Sequence, residues 1–330
     1  MSEIYNIVYA ADDSFSSVLG TSICSLLDNN REAKRINIYI IDGGIKKLSK
    51  EKILGIENKY KNADIKWVTV ESISNRLGIE VQKDRGSLSQ FSRLFVGNIF
   101  NKKIKRVLYL DCDTIVISSI KNLWNLNLKG KTISALKDAF SKYYRKNIEL
   151  SENDIMFNSG IMLIDLERWR QKEIEKKVLS FISRKKGKIQ QGDQGALNSI
   201  LSKDTLPLPP QYNLVSIFYE LTFSEIKLYR SPCNFYSNRE INLAKKNPVI
   251  IHYTSSFYSI RPWFENSNHP MKNIWLEYYK KTPWYTEKLK YENSRKKKLV
   301  VQLTKFGMRK PILFCAGFFQ KYLRPLKNSL

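Results

Sequence analysis

Short apolar runs of strand length alternate with longer segments of helical period along the first two thirds of the chain. Strands are predicted over 4–10, 35–42 (Arg-Ile-Asn-Ile-Tyr-Ile-Ile-Asp), 64–70, 106–111, 132–137 and 160–165, and helices over 16–29, 46–60, 87–100 and 169–185. Apolar runs bounded by polar turns fit strands covered on both faces, and apolar residues recurring every three or four positions fit helices. Their alternation predicts an α/β domain with a mainly parallel central sheet flanked by helices. After about residue 203 the pattern loosens. Leu206-Pro-Leu-Pro-Pro210 reads as a stiff extended connector. A short strand follows at Pro248-Val-Ile-Ile-His-Tyr253, then an aromatic helix over 269–285 with Trp275, Tyr278, Tyr279 and Trp284.

The run Arg106-Val-Leu-Tyr-Leu-Asp-Cys-Asp-Thr-Ile-Val116 ends a strand in two carboxylates one residue apart, Asp111 and Asp113. Side chains two apart on an extended chain point the same way, so both can face one ligand. Two hard oxygen donors suit a divalent cation such as Mg²⁺ or Mn²⁺, with positions left for phosphate oxygens. The alternative is a strand end whose aspartates cap the next turn. Asp12 and Asp13 also follow a predicted strand, and in parallel sheets ligands bind outside the carboxyl ends of the strands. Both pairs can therefore line one crevice. Neither a Gly-x-Gly-x-x-Gly nor a P-loop follows any strand, which argues against dinucleotide oxidoreductases and P-loop NTPases.

Composition adds two constraints. The formal charge of +25 over 330 residues implies an anionic partner, and Thr286–Leu330 alone carries +10 of it, from twelve Lys and Arg against two Glu. The four cysteines, Cys24, Cys112, Cys233 and Cys315, have no paired spacing, which fits a reducing compartment rather than a zinc or disulfide framework. The chain runs straight into an apolar strand, so no secretory leader is expected, and no apolar run is long enough to span a bilayer.

Seven motifs in order resemble glycosyltransferase family 8: Tyr9-Ala-Ala-Asp-Asp13, Leu88-Ser-Gln-Phe-Ser-Arg-Leu94, Leu110-Asp-Cys-Asp-Thr114, Phe157-Asn-Ser-Gly-Ile-Met-Leu-Ile-Asp-Leu166 with Trp169, Gly192-Asp-Gln-Gly-Ala-Leu-Asn198, Gln211-Tyr-Asn213, and His252-Tyr with Arg261-Pro-Trp263. They cover roughly 4–265. The resemblance implies a GT-A fold and a retaining transferase that takes a hexose, galactose or glucose, from a UDP-sugar. It implies Mn²⁺ or Mg²⁺ held by Asp111, Asp113 and His252. Read alone, His252 is a strand-end histidine that could equally be hydrogen-bonded locally; beside the two carboxylates it reads as a ligand, and imidazole with carboxylates suits Mn²⁺ better than Ca²⁺.

The same resemblance assigns donor contacts to Ala10, Ala11 and Asp12, the last on the base, and to Phe15 by stacking on uracil. Ser14 stands where Asn is frequent. Arg93, Cys112, Asn158 and Ser159 join the donor set, with Asp138 facing donor or acceptor sugar. Asp12 and Asp13 also suit capping of the helix at 16–29, and a buried Arg93 could be a structural ion pair. Asp193 is expected to hold sugar hydroxyls and Gln194 to lie beside the anomeric carbon. An amide is a poor nucleophile, so attack on the leaving-group side is preferred over a covalent intermediate. The chain departs from the family after His252. The segment up to Arg261-Pro-Trp is three residues longer, Ser255 stands where Gly is usual, and Arg261 replaces Lys. An arginine can clamp a diphosphate with two parallel bonds, but the shape of this lid is its own.

The division expected is a catalytic domain over 1–265 and a basic, helical region over 266–330. In the tail Ile312, Cys315, Ala316, Phe319, Tyr322, Leu323 and Leu326 recur at helical spacing, widened by Phe314 and Phe318 and flanked by Lys321, Arg324 and Lys327. That composition fits a helix lying in an anionic membrane surface, or one docked on the core with a solvated basic rim. The expected partners are a UDP-sugar, a glycan or lipid-linked acceptor and the inner face of the cell membrane, reached through 286–330. A nucleic-acid-binding protein and a sugar-nucleotide binder without turnover are the competing classes. No nucleic-acid module accompanies the charge.

Overall fold

The computed structural model describes residues 3–78, 80, 89–141, 143–305 and 308–327. Among these, ten strands are found: β1 (Ile4–Ala11), β2 (Arg35–Asp42), β3 (Ala63–Val68), β4 (Arg106–Leu110), β5 (Thr114–Val116), β6 (Ile133–Lys137), β7 (Phe157–Asp165), β8 (Thr205–Pro207), β9 (Leu214–Val215) and β10 (Ile250–His252). Seven form one sheet in the order β3-β2-β1-β4-β7-β6-β8. All neighbours are parallel except β7, which runs antiparallel to β4 and β6.

Alternate residues of the central strands feed two cores. Ile7, Tyr9, Leu108, Leu110, Ile161 and Leu163 pack on one face against the helix Ser16–Asp28, and Trp275, Tyr279 and Trp284 join them from the far end of the chain. Val8, Val107, Tyr109, Met162 and Ile164 pack on the other with Trp169, Val178 and Phe181. Coverage on both faces explains why these strands read as continuous apolar runs.

A second sheet, β5-β10-β9, begins where β4 ends. The chain leaves the large sheet at Leu110, passes through Asp111-Cys112-Asp113 and enters the small sheet at Thr114. There β10 lies antiparallel to β5, with His252 opposite Thr114 and Tyr253 N–H donating to the Asp113 carbonyl at 2.8 Å. On the other side Asp111 N–H donates to the Gly160 carbonyl of β7 at 2.7 Å. The Asp-x-Asp segment is thus the seam between the sheets, and the register brings His252 to it from about 140 residues away.

The pairing of β6 with β7 is irregular: Ala135 faces Met162, yet Leu136 faces Asn158, so Ser159–Ile161 arch away from β6. Asn198 secures the start of that arch. Its side chain accepts from Phe157 N–H (2.7 Å) and donates to the Phe157 carbonyl (2.8 Å), tying β7 to the helix Gly192–Leu201.

Several elements differ from the sequence pattern: the aromatic helix expected over 269–285 spans Lys272–Tyr279, and Leu206 and Pro207, expected in an extended connector, belong to β8, which pairs with β6. Strand 160–165 begins earlier, at Phe157. The helix expected over 87–100 is a 3₁₀ stretch, Ser89–Phe95, followed by one turn, Val96–Ile99 (residues 87 and 88 lie outside those described). Phe91, Arg93, Leu94, Phe95 and Val96 are all buried, so this segment has no solvent stripe to hold an amphipathic period. The helix expected over 169–185 starts at Leu166, where Asp165 caps it, and is split by Glu173 in a left-handed conformation (φ 50°). In the tail a helix spans Arg295–Lys305, and a second, Arg309–Phe318, continues through a π-helical turn, Phe319–Leu323, to Lys327. Leu313 and Gly317 pack inward, Gly317 against the backbone of the helix Phe223–Arg230.

Candidate active site

Asp111, Asp113 and His252 converge so that one ligand atom from each lies within 4.8 Å of the others. His252 is buried, and its Nδ1 lies 3.0 Å from Asn213 Oδ1. Because the Asn213 amide nitrogen donates to Asn158 Oδ1 (3.1 Å), its oxygen is the acceptor and Nδ1 carries the proton. The Nε2 lone pair is therefore turned to Asp113 Oδ1 (3.1 Å) and Asp111 Oδ2 (3.8 Å). Gly160 keeps this place open: a Cβ there would collide with the His252 ring and lie 2.6 Å from Asp111 Oδ2. Two carboxylates and a held imidazole with room between them fit a divalent cation of the Mn²⁺ class.

Arg93 joins this cluster to the next. Its Nη2 is 2.9 Å from Asp111 Oδ1 and its Nε 2.9 Å from Asp193 Oδ2, while Nη1 donates to the Ser159 carbonyl at 2.9 Å. The guanidinium sits 4.7 Å over the Tyr109 ring, and the Tyr109 hydroxyl donates to Asp111 Oδ1 at 3.1 Å. Burial works against the Arg93 charge, but the two carboxylates outweigh it and push its pKa further up. One Asp111 oxygen is thereby occupied, leaving the other for the shared space.

Gln194 is equally fixed. Its oxygen accepts from Ser159 N–H (3.2 Å) and its nitrogen donates to Asp138 Oδ2 (3.2 Å), which also faces the Asn158 amide at 3.3 Å. Burial raises the Asp138 carboxyl, partly offset by Arg230 and these amides. Gln191 and Gly192 both have positive φ (67° and 56°), which turns the chain so that Asp193 and Gln194 open the helix.

The remaining residues singled out in the sequence lie around this centre. Asp12 caps the turn Asp13–Phe15, accepting from Ser14 N–H at 3.0 Å, while Asp13 accepts from Lys46 N–H and the Ser49 hydroxyl. Ala10 and Ala11 end β1. The Cys112 thiol donates to the Ala10 carbonyl (3.1 Å), and burial pushes its pKa well up, so it stays protonated. Phe15 meets Trp263 edge-on, centroids 6.1 Å apart. Arg261 packs on Trp263 (4.6 Å) with Nη1 3.5 Å from Asp113 Oδ2. Ser255 is exposed on the segment between His252 and Arg261.

A family profile described as Glycosyl transferase family 8 matches residues 6–267. The chain belongs to this family. General stress protein A of Bacillus subtilis (strain 168) is 31% identical over 86% of this chain and 96% of its own length. A lipopolysaccharide 1,2-glucosyltransferase of Escherichia coli (strain K12) is 26% identical over 92% of this chain and 84% of its own. Among solved structures, the galactosyltransferase LgtC in complex with donor and acceptor sugar analogues superposes with a TM-score of 0.69 at 21% identity, covering 84% of this chain and 96% of that one. The glycosyltransferase GlyE of Streptococcus pneumoniae TIGR4 superposes with a TM-score of 0.59 at 21% identity, over 89% and 66%. The architecture is the GT-A fold.

In this family 8 chain, Asn213 and Tyr109 do work that sequence reasoning left unassigned. Asn213 stood inside the Gln211-Tyr-Asn213 motif, so its position was flagged without its partner. His269, also given no role, is buried. Its Nδ1 accepts from Met271 N–H (3.1 Å), its Nε2 lies 3.1 Å from the Ser216 hydroxyl, and burial pulls its pKa down to about 4.

If Asn213 holds the imidazole, Asn213→Ala should weaken Mn²⁺ binding by about 10–100-fold while leaving the fold intact. Calorimetric titration with Mn²⁺ and a thermal melt check both halves; unchanged affinity would show that His252 needs no such partner.

Proposed function

We propose that this chain is a retaining, metal-dependent hexosyltransferase that moves galactose or glucose from a UDP-sugar to a cell-surface glycan: a polysaccharide, a lipopolysaccharide or a glycoprotein glycan. The observation that carries the reading is the convergence of Asp111, Asp113 and His252 beside the Arg93–Asp193–Gln194 group. Asp111, Asp113 and His252 would hold Mn²⁺ or Mg²⁺, which when bound supplies positive charge to a departing diphosphate. Arg261 adds a second cation at the same end. Asp12 and Phe15, with Ala10 and Ala11, are the proposed contacts of the uridine, Phe15 by ring stacking. Ser255, the Cys112 segment, Asn158 and Ser159 complete the donor set, and Asp138 is the proposed contact to the acceptor side.

The sugar end favours attack from the leaving-group face. The Gln194 amide is held at both ends and is a poor nucleophile, and the Asp193 carboxylate is paired with Arg93. Each is better suited to orient hydroxyls and to stabilise an oxocarbenium-like ion pair than to form a covalent bond. The leaving phosphate then takes the proton of the incoming acceptor hydroxyl. A glycosyl-enzyme trapped on Asp193 would overturn this route.

We place the protein at the inner face of the cell membrane. Among the described residues no helix is long and apolar enough to cross a membrane. The tail offers a surface instead: Phe314, Phe318, Phe319, Tyr322, Leu323 and Leu326 are 41–61% exposed. Lys321 and Arg324 lie among them. Aromatic and apolar side chains beside cations suit shallow insertion among acidic lipids.

UDP release from a panel of UDP-sugars should require Mn²⁺ or Mg²⁺, select one UDP-hexose and vanish in Asp113→Ala. A wild-type chain that neither turns over nor binds any UDP-sugar with metal present would reject the transferase reading. The intact chain should float with phosphatidylglycerol vesicles but not with phosphatidylcholine, and Phe314→Ser with Phe318→Ser and Leu326→Ser should abolish flotation. Equal flotation of that variant would exclude the tail as anchor.

A further inference from the structure

The segment from Thr254 to Trp263 brings Arg261 to the carboxylate pair, yet it is anchored by residues outside that site. Glu220 ends the short helix Ser216–Glu220, and its carboxylate is only 1% exposed. Its two oxygens take two hydroxyls of the segment, Ser256 on Oε2 at 2.5 Å and Ser259 on Oε1. The Ser256 oxygen also accepts from Tyr258 N–H at 3.0 Å. Both serines lie in the stretch that is longer here than the family pattern.

Arg309 completes the anchorage from the tail. Its Nε and Nη2 fork onto the Glu225 carboxylate at 2.6 and 2.8 Å, Nη2 also donates to the Glu220 carbonyl at 2.6 Å, and Nη1 donates to the Tyr258 hydroxyl. The guanidinium lies 4.6 Å from the centre of the Tyr258 ring. A planar fork holds such a set in one geometry, which a flexible ammonium does not. Three residues beyond Tyr258 stands Arg261, beside Asp113.

We infer that Glu220 and Arg309 are positioning residues that act through the 254–263 segment and set where the Arg261 guanidinium stands. Without them the segment keeps the bond between Ser216 and Thr254 at one end, the bonds of Ile260 to Asn268 and Ser267 at the other, and the packing of Phe257 on Tyr229, with no polar tie to the helices beneath its middle. A segment loosened there opens locally without global unfolding, and Arg261 loses its fixed approach to a diphosphate. This inference rests on the proposed role of Arg261 in donor binding.

The test has two arms. In the first, amide hydrogen exchange is followed over 254–263 in the metal-free wild type, Arg309→Ala, Tyr258→Phe and Glu220→Ala. Faster exchange confined to that segment is expected, by about tenfold for Arg309→Ala and less for Tyr258→Phe, which removes one hydroxyl. The second is a double-mutant cycle on donor kcat/KM. Arg309→Ala is expected to lower it about tenfold, mostly through donor KM, but by about twofold or less when Arg261 is already alanine. The acceptor KM should not move. Equal losses in both backgrounds, tracking a lowered Tm, would mean a merely structural role and overturn the inference; so would unchanged exchange in the three variants. If Arg309→Ala does not fold, Tyr258→Phe replaces it in the cycle. A wild type inactive on every UDP-sugar would reject the transferase reading, while the exchange arm still decides the anchorage.

Discussion

The Arg93 guanidinium, buried between Asp111 and Asp193, is the contact on which the site depends. Asp111 belongs to the cluster proposed to hold the metal and Asp193 to the end proposed to hold the sugar, and one rigid cation fixes the distance between them. Removing one partner from such a buried pair costs about 3–5 kcal/mol, because the charge left behind keeps its desolvation penalty. The surroundings are built to keep that charge: the Tyr109 ring lies under it, the Ser159 carbonyl and hydroxyl accept from it, and the Ser89–Phe95 turn sinks it into the core.

From this pair a second layer of amides spreads outward. His252, Asn213, Asn158, Asp138 and Gln194 form one hydrogen-bonded chain, from the imidazole at one end to the Gln194 amide at the other. A buried polar network holds one conformation when its members are satisfied. The β7 arch makes it possible, since pulling Ser159–Ile161 away from β6 turns their backbone toward Asp111 and Gln194. Gly160 is needed at its centre because no side chain fits between His252 and Asp111.

Much of this was legible in the sequence. The apolar runs marked the central strands because parallel strands are covered on both faces, and Asp111-Cys112-Asp113 marked the site because alternate residues of an extended chain put both carboxylates on one side at a strand end. The apolar pattern alone placed the start of β7 at residue 160, because Asn158-Ser159-Gly160 carries turn residues that an irregular pairing makes part of a strand. The helices Phe223–Arg230 and Asn238–Lys246 went unread although Thr222/Glu225 and Ser237/Glu240 form capping boxes that were visible as a Ser/Thr-x-x-Glu spacing. Glu220 and Arg309 could not have been found, because what matters is that one meets Ser256 and Ser259 and the other Tyr258, and no periodicity encodes that. In the tail Leu313 and Gly317 dock on the core, as a helix packed on the body of the protein would, while Phe314 and Phe318 are exposed.

The central claim is that a single planar cation holds the two ends of the site in register. Arg93→Lys keeps the charge and removes the fork, so donor turnover by this variant, measured alongside its thermal melt, is the direct test. Turnover lower by about 10²-fold in a folded protein is predicted, since misplacing reacting groups by about 1 Å has that effect. A folded Arg93→Lys protein within a few-fold of wild type would show that charge alone suffices and contradict the account.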